Sequence, residues 1–156
     1  KVWDAEKCKC VQTLIGHAST VFALMWEPYS SILYSASWDR TVKMWDFRTK
    51  ETPIKSMESH THCVTSLCTN GGFLCSGSWD TTVKVWEVGS GKLIRTMQGH
   101  KGYVNALTSF GNYLCSGSAD GTIRYWTVAD GQCHLESVAS DGKSDGVNSL
   151  CTLSTQ

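Results

Sequence analysis

One pattern, written three times, constrains this chain more than any other feature. A His is followed by Ser-x-Asp and then by Trp. The copies are His17, Ser37, Asp39, Trp45; His60, Ser78, Asp80, Trp86; and His100, Ser118, Asp120, Trp126. Ser and Asp stand two apart in each copy, and Asp and Trp six apart. A strict internal period of this kind is the mark of repeat architecture. Residues present in every copy are better suited to building each unit than to performing one reaction.

A valine fixes the register. Val21, Val64, Val104 and Val147 follow one another at 43, 40 and 43 residues. The Trp series Trp3, Trp45, Trp86 and Trp126 runs in parallel. Within each period the patterning is that of β-strands. Residues 21–26 form a short apolar run of strand length, and residues 41–46 alternate polar with apolar. Further strands are expected at 32–37 and, more weakly, at 54–57. The second copy repeats them at 63–69, 73–78, 82–88 and 92–97, and the third at 103–109, 113–118, 122–128 and 132–138. Asn70-Gly71-Gly72, Asp120-Gly121 and Asp130-Gly131 supply turn residues that tolerate positive φ. No stretch of helix length has a helical period. Four antiparallel strands in about 40 residues describe one propeller blade.

These residues resemble the WD40 repeat family. Trp3-Asp4 and Trp45-Asp46 are its naming dipeptide, and Gly16-His17 and Gly99-His100 its second marker. Ser59-His60 departs only at the glycine, and Trp86-Glu87 and Trp126-Thr127 keep the Trp. The resemblance covers essentially the whole of 1–156 and implies an all-β propeller segment. Residues 1–15 would be outer strands of a partial blade, with Cys8–Ile15 as its outermost strand. Full blades would occupy 16–58, 59–98 and 99–138. Residues 139–156 would be a linker and the first strand of a further blade, at 146–153, with Lys143 where the His marker would stand. Three blades and two fractions leave exposed edges, so a segment of a longer protein is expected. A small closed ring, or two copies joined into a larger one, is the alternative.

Composition narrows the function. Fourteen Lys and Arg balance fourteen Asp and Glu, which does not favour a nucleic-acid or polyanionic-membrane surface. No apolar run approaches transmembrane length, so membrane insertion is not expected. Eight cysteines are many for this length. Cys75 and Cys115 share a slot that Tyr34 fills in the first copy, which marks a packing position. Reduced thiols and an intracellular setting, cytoplasmic or nuclear, follow.

His, Ser and Asp together also raise a hydrolase reading. By resemblance they form instead a structural tetrad with the Trp. The Asp would accept from the His of its own blade or the next, the His would bond the Ser, and the Ser would reach the indole. Three equivalent copies without a Gly-x-Ser-x-Gly elbow favour the structural role, so no catalytic residue and no enzyme is expected. Cys8-x-Cys10 and His60-x-His62-Cys63 lack the companions of a four-ligand zinc site. No Gly-rich loop leads into a helix, so no nucleotide and no cofactor is expected. Gly77 and Gly117, inside strands, permit close packing.

Function should lie in what the copies do not share. The position before the tetrad Asp is Trp38, Trp79 and Ala119; the one after it is Arg40, Thr81 and Gly121. The position before the valine is Thr20, Cys63 and Tyr103. By resemblance all lie on one rim of the propeller. Trp38, Trp79, Tyr103 and Arg40 form a candidate patch for a protein or peptide partner, which would suit a place in a multiprotein complex. The plain alternative is that both Trp pack on neighbouring blades. Trp26, Met25, Phe22, Phe47, Tyr125 and Phe110 are expected in the core.

Overall fold

The computed structural model describes residues 1–27, 30–48, 51–138 and 146–151. It is all-β among these residues. Fourteen strands form three four-stranded antiparallel sheets and one two-stranded sheet. The pair is β1 (Val2–Asp4) with β2 (Lys9–Gln12). The first blade holds β3 (Val21–Trp26), β4 (Ile32–Ser37), β5 (Thr41–Asp46) and β6 (Lys55–Glu58). The second holds β7 (Val64–Asn70), β8 (Phe73–Ser78), β9 (Val83–Glu87) and β10 (Leu93–Met97). The third holds β11 (Val104–Phe110), β12 (Tyr113–Ser118), β13 (Thr122–Thr127) and β14 (Cys133–Val138). Each blade is a meander in which every strand pairs with its sequence neighbour.

Blades stack through the register the sequence repeats. Val64 and Val104 are fully buried, and Leu67 and Leu107 nearly so. Val64 and Val104 each seat on the second strand of the preceding blade. A Cβ added to Gly77 would lie 2.8 Å from Val104 Cγ1, closer than Cβ atoms come. The glycine is therefore a condition of the contact. Polar clasps cross the same junctions. Thr65 Oγ1 donates to the Val104 carbonyl, and Tyr34 Oη accepts from the Gly89 N–H. Asn70 Nδ2 donates to the carbonyls of Gly111 and Tyr113, and Arg95 reaches those of Ala129 and Asp130. Cys75 and Cys115 are buried in the slot where Tyr34 is buried. Burial raises the pKa of both thiols, which keeps them protonated and inert.

Several expectations need correction. The strand expected over Cys8–Ile15 spans only Lys9–Gln12. Residues 146–151 carry no strand, although 146–153 was expected to; residues 152–153 and Lys143 lie outside the described residues. The segment nevertheless docks where an inner strand would. The Val147 N–H donates to the Ser118 carbonyl, and Val147 Cγ1 would meet a Cβ on Gly117 at 2.4 Å. Phe22, Trp26 and Phe110 were expected in the core but are exposed. Phe22 and Trp26 belong to β3, whose outer surface no blade covers among the described residues. Phe110 closes β11 at a turn.

Candidate interaction surface

The tetrads hold the loops that carry the surface. In the first blade His17 Nδ1 stands 2.7 Å from Asp39 Oδ2, and His17 Nε2 stands 2.6 Å from Ser35 Oγ. Trp45 Nε1 donates to the same Ser35 Oγ at 2.8 Å. His60, Asp80, Ser76 and Trp86 repeat the set, as do His100, Asp120, Ser116 and Trp126. A carboxylate only accepts, so Nδ1 carries the imidazole proton. Nε2 then accepts from the Ser hydroxyl, which itself accepts from the indole. Every member is satisfied, as a buried network requires. The His and Asp of each set come from the same blade, which closes the alternative left open above.

The serine of the network is therefore Ser35, Ser76 or Ser116, and not Ser37, Ser78 or Ser118. The two lie on the same strand two residues apart, so both point to one face. Only the nearer to the middle of the strand comes within reach of the indole. The second serine has a different task at the strand end. Ser37, Ser78 and Ser118 accept the N–H of Asp39, Asp80 and Asp120, which fixes the turn. A signal was available in the sequence: Ser35, Ser76 and Ser116 recur in all three copies as faithfully as their neighbours.

Each Asp is the hub of its loop. Asp39 Oδ2 also accepts the Ala18 N–H, while Oδ1 accepts the Thr41 N–H and hydroxyl. Burial opposes the charge, but these bonds from Thr41, His17 and Ala18 outweigh it and pull the Asp39 pKa down to about 2. Asp80 and Asp120 are lowered by the same means. Burial, partly offset by Asp120, lowers the His100 pKa and favours the neutral ring. The turns that follow are left-handed in all three blades: φ is 71° at Arg40, 70° at Thr81 and 80° at Gly121. Only the third blade places glycine there.

On this frame the varied positions converge. The Trp38 and Trp79 rings meet edge to face with centroids 5.0 Å apart. Trp79 stacks on Tyr103 at 4.9 Å and 16°. Trp38 and Tyr103 are about half exposed. His62 lies 5.6 Å from Trp79 and accepts the Cys63 N–H through Nδ1; Phe22 adjoins Trp38 at 6.0 Å. The sequence reading missed His62 and Phe22. The paired spacing of His60 and His62 was its only clue. The tryptophans touch across blades, and Trp38 is exposed while Trp79 is half-buried. Arg40, two residues after Trp38, is exposed. Cys63 lies buried beneath it, its thiol raised to about 11 by desolvation and by the Asp39 charge. Among the described residues no group of three His, Cys, Asp or Glu could hold a metal ion, and no helix is long and apolar enough to cross a membrane.

The sequence profile described as "WD domain, G-beta repeat" matches residues 8–46, 51–87 and 91–127. This chain belongs to the WD40 repeat family. Among curated WD40 relatives it is 38% identical over 68 residues to the nuclear distribution protein PAC1 of Gibberella zeae, covering 43% of this chain and 15% of that one. It is 46% identical over 55 residues to the mouse (Mus musculus) periodic tryptophan protein 2 homolog, covering 33% of this chain and 6% of that one. The matched region is thus a small part of either relative. Among solved structures, the RRP9 WD40 repeats superpose with a TM-score of 0.81 at 23% identity over 88% of this chain and 43% of that one. The computationally designed Ika4 protein gives 0.80 at 32% identity, over 94% of this chain and 88% of its own. The WD40 blades described above are therefore a propeller architecture.

Proposed function

We propose that this chain is a non-catalytic interaction platform that binds a protein or peptide through the aromatic row Trp38–Trp79–Tyr103. The observation that carries the reading is that three varied positions, distant in sequence, form one connected, partly exposed surface. The blades hold it rigid, so a partner need not order it. Aromatic rings of this kind serve as anchors because they offer large contact area with little loss of freedom. Phe22 and His62 extend the row, and Arg40 supplies a charge at its margin. A place in a multiprotein complex suits such a platform, and eight free thiols suit an intracellular compartment.

The tetrad has the connectivity of a hydrolase triad, but its chemistry differs. Ser35 is 3% exposed, and Ser76 and Ser116 are 0%. Each hydroxyl oxygen already accepts an indole N–H on one of its two lone pairs and lies too deep for a substrate to reach. Joint replacement by Trp38→Ala and Trp79→Ala should abolish partner capture in a pull-down while the β circular dichroism stays unchanged. Undiminished capture by the folded double variant would remove the aromatic row from the function.

A further inference from the structure

Three ionised carboxylates adjoin the aromatic row, and the tetrads do not neutralise them. Asp39 and Asp80 directly follow Trp38 and Trp79. Asp120 follows Ala119, whose N–H donates to the Tyr103 carbonyl. The bonds they accept hold all three below the usual carboxylate range, against the opposing effect of burial. Among the described residues each has one ion-pair partner, the imidazole of its own tetrad. That ring is neutral, because Nδ1 carries its proton while Nε2 accepts from a serine. The negative charge therefore persists at the row. It is felt at Cys63, where burial and then the Asp39 charge raise the thiol to about 11.

These carboxylates attract a cation but have no lone pair left to bond one. A carboxylate has about four acceptor sites. Asp80 fills them with the His60 ring and the Thr61 N–H at Oδ2, and with the Thr82 N–H and hydroxyl at Oδ1. Asp39 and Asp120 repeat the set. A primary ammonium or a guanidinium drawn onto the row would shed water from its N–H groups and find no carboxylate acceptor in return. A quaternary ammonium has no N–H to satisfy, and aromatic faces attract it. The chain's own cations mark where it fits. Arg40 stands in the first loop and Lys101 in the third, both exposed, whereas the matching places in the second are Thr81 and Thr61. His62, beside Trp79, adds no charge in this arrangement, since its Nδ1 accepts the Cys63 N–H. Of the three loops, that of Trp79 alone sets a carboxylate beside an aromatic ring with no lysine or arginine at these places. We propose that the partner of the aromatic row presents a trimethyllysine side chain, its quaternary ammonium held at Trp79 between the exposed rings of Trp38 and Tyr103. This rests on the row being the binding surface. Arg40 and Lys101 at its two ends would repel a run of basic residues, so a lone cation of this kind suits it best.

The test uses the 156-residue chain and synthetic peptides Gly-Gly-X-Gly-Gly. X is trimethyllysine, lysine, or the uncharged tert-butyl isostere of trimethyllysine. Trp emission should change saturably near millimolar peptide, with trimethyllysine bound about three- to tenfold more tightly than either of the others. Thr81→Arg gives the second loop the residue that the first carries at the same left-handed turn, φ 70° against 71°. It should remove most of the preference and leave binding of the isostere unchanged. Absence of any signal up to about 10 mM peptide overturns the proposal. So does equal binding of the trimethyllysine and isostere peptides, tighter binding of the lysine peptide, or a preference that survives Thr81→Arg. Co-sedimentation with phosphatidylcholine vesicles that is lost with Trp38→Ala and Trp79→Ala would assign the cation to a lipid and overturn the peptide reading. The pull-down keeps the two readings apart. If the double variant loses its partner but the wild-type chain shows no trimethyllysine preference, this inference fails alone; undiminished capture removes the row itself.

Discussion

The second blade and the first share a sequence pattern and differ in surroundings. Val64 and Leu67 of β7 are sealed against the first blade, whereas Val21 and Leu24 of β3 face a cavity. The difference teaches that a WD40 blade does not own its core. Its sheet is held by its own hydrogen bonds, but its inner face becomes interior only when a neighbour supplies a second strand with a small residue. Among the described residues the central blade has a full blade on each side, and the first has one on one side and only the β1–β2 pair on the other. The same contrast separates Trp45, buried against Ser35, from Trp3, which no second strand covers among the described residues.

The comparison can be broken most sharply at the matched leucines. Leu67→Ala should cost about 2–4 kcal/mol in urea unfolding, from lost burial plus the cavity left behind. Leu24→Ala should cost less than about 0.5 kcal/mol, since its side chain already meets solvent. Similar losses at the two sites would mean that the open face is closed in solution. The serines give a smaller effect within one blade. Ser76→Ala leaves the Trp86 indole N–H and His60 Nε2 buried without partners and should cost about 1–3 kcal/mol. Ser78→Ala removes the turn bond to the Asp80 N–H and the hydroxyl's bond to the Cys63 carbonyl, leaves no side-chain donor unpaired and should cost nearer to 1 kcal/mol. The reverse order would restore the outer serine to the tetrad. The smallest effect is a gain. Thr81 is β-branched at a φ of 70°, where the third blade uses Gly121. Thr81→Gly should raise stability by about 1 kcal/mol by thermal unfolding, and a loss would show that its side chain contributes something the backbone strain does not reveal.

Much of the fold was legible because the repeat multiplies weak signals. Val-x-x-Leu, the alternation in 41–46 and the turn glycines recur, so each copy supports the others. Strand identity and order within the three full blades followed directly. The site was legible in kind and misplaced in detail. Trp38, Trp79 and Tyr103 were singled out by variation within a constant frame, and the structure brings them together. The tetrad serine was misread because period-two alternation puts Ser35 and Ser37 on one face, and spacing alone cannot say which meets the indole. Phe22 and Trp26 were assigned to the core because strand patterning records which side of a sheet is apolar and not whether anything covers it.

By itself, the sequence determined the blade: its four strands, its turns, its buried Trp and the Asp that gathers the loop. These depend on local periodicity and on side chains within one repeat. The tertiary structure alone decided which serine closes the network and which aromatic rings join across blades. Each of these depends on contacts between segments tens of residues apart, where register and the presence of a neighbour act and one-dimensional spacing carries no information. The thrice-written pattern is the frame in both accounts, and function is sought where its neighbours differ.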